Sequence, residues 1–498
     1  MFRIRFSISI RTALFGWMFM STAANAEDTS PATAPANRAA QILHAGPISL
    51  KFQDGELRYL RVADREIIRR IYFSVREGDF ATEMPKFSEM RVEPALDHFA
   101  IHLAATCTGK TISYNWTGDI TGSADGIITY HAGGFAPAAG TSRRLGLCVL
   151  YGAGALAGHD FETIGEDNKA APGKFPELVS PTLVASRFHT LAYTVDGLHV
   201  SCGVAESLFD MEDQRNYGDS SFKAYNPLPY AYPNIEAGKT LSQTLSLRVD
   251  AAPGPSHPTT APATSPADNA IHVRIGLPIE GARICAITSP DRFKDAMDFV
   301  SMNLHRTPLA DATAIAWKWT TATHLPDDDT AMENLPGIVY QARTVRSFAP
   351  RALLRVGPLS INGRWPQTIR PPGFSAAWTA AAIHELSLGN VDEAAFADST
   401  PQAANIISAF QRVTGKPVVD VSVSRPTDID AFAVNDIGTT TLWLVNLSDQ
   451  PGEVVVDDLP PGVPPQLLRP ALTDKPETLL GSRIELTPYD VSEVVIRR

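Results

Sequence analysis

Between residues 41 and 250 the chain repeats one pattern: a short run in which apolar and polar residues alternate, closed off by Gly, Pro, Asp or Asn. The runs are ISLKF, ELRYLRV, EIIRRIYFSV, FAIHLAAT, TISYNWTG, GIITYHAG, LGLCVLYG, HTLAYTV, LHVSCGV and TLSQTLSLRV. A period of two sends successive side chains to opposite faces of a strand. Such runs must pair with one another to satisfy their backbone groups. Ten of them at hairpin spacing over roughly 200 residues predict an antiparallel β-sandwich.

Two tracts rich in Pro, Ala and Thr bracket this region, one within residues 27–40 and one, AAPGPSHPTTAPATSPAD, at 251–268. They lack the apolar residues that a core requires and read as linkers. The start of the chain, MFRIRFSISIRTALFGWMFMSTAANA, has a basic stretch, a short apolar run and a small-x-small end. It reads as a secretory signal peptide over 1–26, cleaved after Ala26. The mature chain is then expected to be exported to the periplasm, with no membrane anchor left, since the apolar run is too short to span.

After the second linker the period changes. IHVRIGLP and ARICAI precede a helical DRFKDAMDFVSMNL, ATAIAWKW precedes MENLPGIVYQARTVRSF, and ALLRVG precedes FSAAWTAAAIHELSLG. Strands that alternate with helices predict βα units around a parallel sheet. Residues 269–415 supply four or five such units, against about 250 residues for an eight-unit barrel. The expectation is therefore a shortened TIM-barrel-like domain. From 416 to 498 the alternation returns in PVVDVSVS, DAFAVND, TTLWLVNLS and GEVVVDDL, which predicts a small C-terminal antiparallel β-domain.

The net charge of −11 and the lack of a basic stripe argue against a nucleic-acid partner. Cys107, Cys148, Cys202 and Cys285 are widely scattered, and the better reading is four small core residues, although one disulfide is possible in an oxidising compartment. Neither G-x-S-x-G nor H-E-x-x-H occurs. The two Gly-Lys-Thr tripeptides lack the earlier glycine of a phosphate-binding loop, with Ala104 and Pro233 in its place. No tight cluster of His and carboxylates has ligand spacing, so neither a metal nor another cofactor is expected.

Candidate chemistry concentrates in THLPDDDTAMENL, residues 323–335, just past the strand ATAIAWKWT. Loops that follow strands form the active face of βα-barrels. Thr330 and Glu333 fit a capping box, which explains Glu333 and Asp329 structurally. His324, Asp327 and Asp328 stand further back and are the candidate acid or base residues. Arg355, in the next strand, would need an acidic partner or an anionic ligand. Asn362, Arg364 and Trp365 in the loop after it offer polar forks and an aromatic face suited to a sugar. Arg343 and Arg346 read as a solvated helix face, Trp378, His384 and Glu385 as structural, and Asp398 as a weak acid or base candidate.

A second charged stretch, FDMEDQRNYGDSSFKAY at 209–225, closes the sandwich region. Arg215 and Lys223 among Glu212 and Asp213 suggest a structural charge network, with substrate contact at a domain boundary as the competing reading. This stretch resembles a hallmark of the D-apionate lactonases, bacterial enzymes that open D-apionolactone in the catabolism of the branched sugar apiose. The family tends to read EMEDQRNWTDASFKTY there, so Tyr217-Gly218 replaces Trp-Thr and Ser220 replaces Ala. GELRYLRVADREIIRRIYFSVREGDFAT, RRLGLCVLYG, KFPELVSP, HLPDDDTAMENLPGIVYQARTVRS, LLRVGPLSI, FSAAWTAAAI and TTLWLVNLSDQP carry the same resemblance along most of the chain. It implies hydrolysis of a sugar lactone. From the residues themselves, Glu212, Asp213, Arg215, Arg355, Asn362, Arg364 and Trp365 are the candidate substrate contacts. The resemblance brings no catalytic residues with it. Compared with the family, the opening βα units are compressed between Gly276 and Asn303. A carbohydrate-binding protein without catalysis, or a glycoside hydrolase using two carboxylates such as Asp328 and Asp398, are the alternatives.

Overall fold

In the computed structural model, residues 40–497 are described except 64, 79, 227–233, 252–269, 322–326, 362–369, 398–399, 458 and 460–463. The signal-peptide reading, nearly all of the first linker and the second linker fall outside the described residues. All ten alternating runs form strands. They join four further long or medium strands in a continuous antiparallel sheet. Its order in space is 41–45, 48–53, 56–62, 65–76, 144–152, 221–225, 209–213, 185–195, 198–205, 240–251, 127–135, 113–122, 99–108 and 86–94.

The two halves of this sheet fold face to face as a sandwich. Phe73 of strand Arg65–Arg76 stacks on Trp116 of strand Ser113–Gly122, with ring centroids 4.8 Å apart. Leu57, Ile71, Val75, Leu147, Val149, Phe222 and Tyr130 fill the same core. The alternation then dictates that Arg70, Tyr72, Ser74 and Arg76 leave strand 65–76 on the opposite face. That face is buried too, because the α/β region lies over it: Arg70 reaches Thr330 at 3.2 Å, and Asn334 reaches Asp219 at 3.1 Å.

In the α/β region, strands Ala286–Ile287, Glu393–Phe396, Leu353–Ser360 and Ala314–Thr320 lie side by side in that order, all parallel. Helices Gly337–Phe348, Phe374–Leu388 and Pro401–Gln411 pack their apolar residues against them around Trp317, Trp319, Trp378 and Phe410. DRFKDAMDFVSMNL contributes only a single turn of 3-10 helix and the short helix Phe299–Leu304.

IHVRIGLP does not open this parallel sheet. It belongs to strand Ile271–Arg283, which pairs antiparallel with Pro417–Val423 and parallel with Gly452–Val456 in a nine-stranded C-terminal sheet. Ile271 and Val273 bury one face with Val419, Leu442 and Val454. The alternation in this run is what a half-buried strand requires, whereas a strand covered by helices on both faces would be apolar throughout. All four cysteines are free and buried, the first three in the sandwich and Cys285 in the α/β core. Among the described residues no helix is long and apolar enough to cross a membrane.

Candidate functional site

Two groups of charges share the outer face of the sandwich, one to each side of strand Arg65–Arg76, along a cross-strand row that runs Lys51, Arg58, Arg70, Leu150, Lys223 and Glu212. On the Arg58 side the charges are matched. The carboxylate of Asp327 caps helix Asp328–Glu333, accepting from the Thr330 amide at 2.8 Å and the Thr330 hydroxyl at 2.7 Å. Arg58 reaches Asp327 at 2.9 Å, Asp329 at 3.2 Å and Glu56 at 3.2 Å, while Lys51 reaches Asp329 at 2.6 Å. Arg70 pairs with Glu56, and Asp328 with Arg370. Burial opposes ionisation of Asp327, yet Arg58, Arg70 and the two Thr330 hydrogen bonds outweigh it and hold the carboxyl well below the usual range. Burial pushes the Asp328 carboxyl up, against its Arg370 partner.

The helix cap thus sits at Asp327, three residues ahead of the Thr330 that the capping-box pattern suggested. Arg58 approaches from the sandwich and fixes that carboxylate over the helix start, an arrangement that a local sequence pattern does not contain. Glu333 does not reach back to the cap. Burial pushes its carboxyl up despite Arg58, Arg69 and Arg70.

On the Lys223 side, strand Phe209–Asp213, one turn of 3-10 helix at Gln214–Tyr217 and strand Ser221–Tyr225 fold the stretch FDMEDQRNYGDSSFKAY into a hairpin. Gly218, at φ +91°, makes the left-handed turn between them. The hairpin puts its charges to two different uses. Arg215 is fully buried and forks onto Asp213 at 2.8 and 2.7 Å. It also donates to the carbonyls of Pro176 and Glu177, with Phe222 and Tyr340 against its faces. Asp213 also accepts from the Ser180 amide at 2.8 Å. Every polar atom of that pair is engaged, so the pair braces the hairpin.

Lys223, on the other face, is 3 % exposed. Its Nζ donates to Gln214 Oε1 at 3.0 Å and stands 3.7 Å from Asp219 Oδ2. Burial and then the nearby Arg76 guanidinium bring its ammonium down to about 7, against the pull of Asp219. Burial pushes Asp219 up, against Lys223, Arg76 and Arg70. Lys223 is thereby placed to give up its proton near neutrality. Asn334 Nδ2 donates both to Asp219 Oδ1 at 3.1 Å and to the carbonyl of Thr321 at 3.2 Å, and its Oδ1 accepts from the Ser220 amide at 2.9 Å. Thr321 directly follows strand Ala314–Thr320, so Lys223 and Asp219 face the carboxyl end of a parallel strand, where ligands bind in α/β sheets.

Beside them, Arg76 donates from Nη2 to the Tyr72 hydroxyl at 2.9 Å and from Nε to Ser74 at 3.2 Å. The Tyr72 oxygen, accepting there, keeps its own proton to give. Glu212 stands at the rim, 3.5 Å from Arg144 and 3.0 Å from Gln214 Nε2.

Of the residues singled out from sequence, the structure brings Asp327 and Asp328 to the matched side of this face, and Glu212 to the other. Asp213 and Arg215 lie on the hairpin's inner side. Arg355 is elsewhere: it is the third residue of its strand, 3.1 Å from Glu393, about 16 Å back from the carboxyl ends at some 3.3 Å per residue. His324, Asn362, Arg364, Trp365 and Asp398 lie outside the described residues. Tyr72, Arg76, Arg144 and Asp219 were not singled out. Their signal was present in EIIRRIYFSVR, where Arg70, Tyr72, Ser74 and Arg76 form one polar file opposite Ile71, Phe73 and Val75. Among the described residues no group of three or more His, Cys, Asp or Glu is arranged to hold a metal ion.

Residues 29–252 match a family model described as the D-apionate lactonase N-terminal domain, and residues 426–494 match the D-apionate lactonase C-terminal immunoglobulin-like domain. The D-apionate lactonase of Brucella anthropi is 28% identical over 212 residues, which are 42% of this chain and 35% of that protein. The chain thus matches about a third of that relative's length. Among solved structures, galactose 1-epimerase from Lactobacillus acidophilus aligns over 42% of this chain and 93% of its own with 5% identity and a TM-score of 0.31. CelM2, a bifunctional glucanase-xylanase from a metagenome library, aligns over 32% and 34% with 17% identity and a TM-score of 0.26. Tyr72, Arg76, Arg144, Asp219 and Lys223 all fall inside the first family match, and the four parallel strands fall in neither.

Proposed function

Because this chain belongs to the D-apionate lactonase family, by its N-terminal domain and its C-terminal immunoglobulin-like domain, we propose that it is an enzyme that opens a sugar lactone to the aldonate. The observation that carries the reading is the Lys223 and Asp219 pair, buried on the sandwich face and held by Asn334 against the end of a parallel strand.

Neutral Lys223 takes a proton from water as its oxygen attacks the ring carbonyl, and Gln214 keeps Nζ in place. The negative charge that develops on the carbonyl oxygen is met by the Tyr72 hydroxyl, a stronger donor because Arg76 donates into its oxygen. As the ring C–O bond breaks, His324, three residues beyond Thr321, gives a proton to the leaving alkoxide. Asp327 and Asp328, which follow it in the chain, pair with Arg58 and Arg370.

The order of the parallel strands supports a further reading of the region as part of a barrel. In chain order the strands are first, fourth, third and second. In a closed eight-strand barrel the last strand lies beside the first, so this arc corresponds to the closing seam with middle units left out after strand 286–287. The basic, apolar and small-x-small start of the chain supports export to the periplasm, where the substrate would be met.

The test is a pH-stat assay of the purified protein on D-apionolactone and a panel of aldonolactones. Acid release above the uncatalysed rate is expected for at least one lactone. No excess rate on any of them would sink the hydrolase reading and leave a carbohydrate-binding protein.

A further inference from the structure

Arg76 and Arg144 are direct partners across neighbouring antiparallel strands, so their side chains leave the same face about 5 Å apart. Like charges placed this way repel, and a buried guanidinium without a carboxylate is costly. Yet Arg76, 3 % exposed, hydrogen-bonds to two neutral hydroxyls and feels the Asp219 carboxylate only through space, and its Nη1 has no hydrogen-bond partner among the described residues. Arg144 stacks on Tyr225 at 4.1 Å and has one carboxylate, Glu212, at 3.5 Å, whose other oxygen is taken by Gln214. Asp219 is shared between Lys223 and Asn334. Exposure rises outward, from Arg76 through Arg144 at 13% to Glu212 at 26%, so the two guanidiniums are reached from the Glu212 rim.

A permanent and only loosely matched pair of cations is poorly suited to a charge that exists only during reaction, which the neutral Tyr72 hydroxyl already meets. It suits an anion that the ligand carries throughout. Guanidiniums take carboxylates in a planar, two-point fork, with Nη1 of Arg76 and the outer nitrogens of Arg144 available for it.

We propose that Arg76 and Arg144 clamp a carboxylate borne by the substrate, so that the preferred lactone is that of a sugar diacid rather than of a neutral sugar acid. This rests on the lactone-opening reading. Water adds to the lactone carbonyl, the ring C–O bond breaks, and the proton passes from water to the ring oxygen. The clamped carboxylate is unchanged.

The experiment compares D-glucaro-1,4-lactone, which has a free carboxylate, with D-galactono-1,4-lactone, which has none, in wild type, Arg144→Met and Arg144→Lys. Wild-type kcat/KM should favour the acidic lactone by at least about 30-fold, as charge-assisted recognition allows. Arg144→Met should bring the ratio to near one, and Arg144→Lys should restore part of it. Calorimetry with galactarate, galactonate and galactitol supplies a readout without turnover. Galactarate should bind most tightly, and the advantage should vanish in Arg144→Met. Neutral lactones opened with no preference would overturn the clamp and leave the hydrolase standing. Selective galactarate binding with no lactone opened would do the reverse. Should Arg144→Met not fold, a wild-type ratio of one or less still refutes the clamp.

Discussion

The two sides of strand Arg65–Arg76 carry the same kinds of side chain on the same face and use them differently. On the Arg58 side, Lys51, Arg58 and Arg70 meet Glu56, Asp327 and Asp329 with short contacts, and Thr330 takes up remaining donors. On the Lys223 side the contacts are looser, with Glu212 3.5 Å from Arg144 and Asp219 3.7 Å from Lys223. Matched charges join the sandwich to the α/β region. The looser ones are left for a ligand, because burying them without one is expensive.

The largest effect should come from breaking the looser side. Lys223→Met is expected to lower kcat/KM on the best lactone by about 1,000-fold, roughly 4 kcal/mol of barrier, with little change in Tm. In wild type the rate should rise with pH through about 7, as the amine loses its proton, and then level off. An unchanged rate in Lys223→Met would remove it as the base.

The matched side should answer in stability. Arg58→Met leaves Asp327 and Asp329 short of a partner, and about 2 kcal/mol of unfolding free energy should be lost in urea melts. That is less than for a fully buried pair, since the carboxylates are partly solvated. A loss of turnover with unchanged stability would erase the contrast between the two sides. His324→Ala should cost at least about tenfold in rate, or 1.4 kcal/mol, at an unaltered Tm, and a normal rate would exclude it from the reaction.

The smallest effect lies off this face. Glu385, beside the His384 and Asp430 pair where helix Phe374–Leu388 meets the C-terminal sheet, has its carboxyl pushed up to about 7 by burial, against His384. A folded-state value above the unfolded one gives stability that is complete below about pH 4.5 and is lost as pH rises through 7. Glu385→Gln should therefore raise Tm by about 2–4 °C at pH 8 and leave it unchanged at pH 4.5. Equal Tm shifts at both pH values would count against a buried ionisation there.

The strands were legible because alternation is a local signal, and all ten runs paired. The hairpin's charge network was half legible. Asp213 and Arg215 do pair, as two neighbours of opposite charge suggest, but the separation of Lys223 and Asp219 onto the other face follows from the strand register. The matched side was hidden for a simpler reason. Lys51 and Asp329 are 278 residues apart in sequence, and nothing near either one announces the other. Asp327 and Asp328 looked like free acids in a barrel loop for the same reason.

One feature of the C-terminal sheet bears on how such a chain can change. The α/β region leaves strand Ile271–Arg283 and returns through Pro417–Val423, and these two strands are hydrogen-bonded neighbours. Ile284 and Lys416 even share a backbone hydrogen bond of 3.1 Å, so departure and return are a strand spacing apart. The region is inserted like a drawer into a frame whose own hydrogen bonds close behind it. Whole βα units can be added or removed between those two points while the frame keeps its own hydrogen bonds, so a change in the length of this region should be tolerated there.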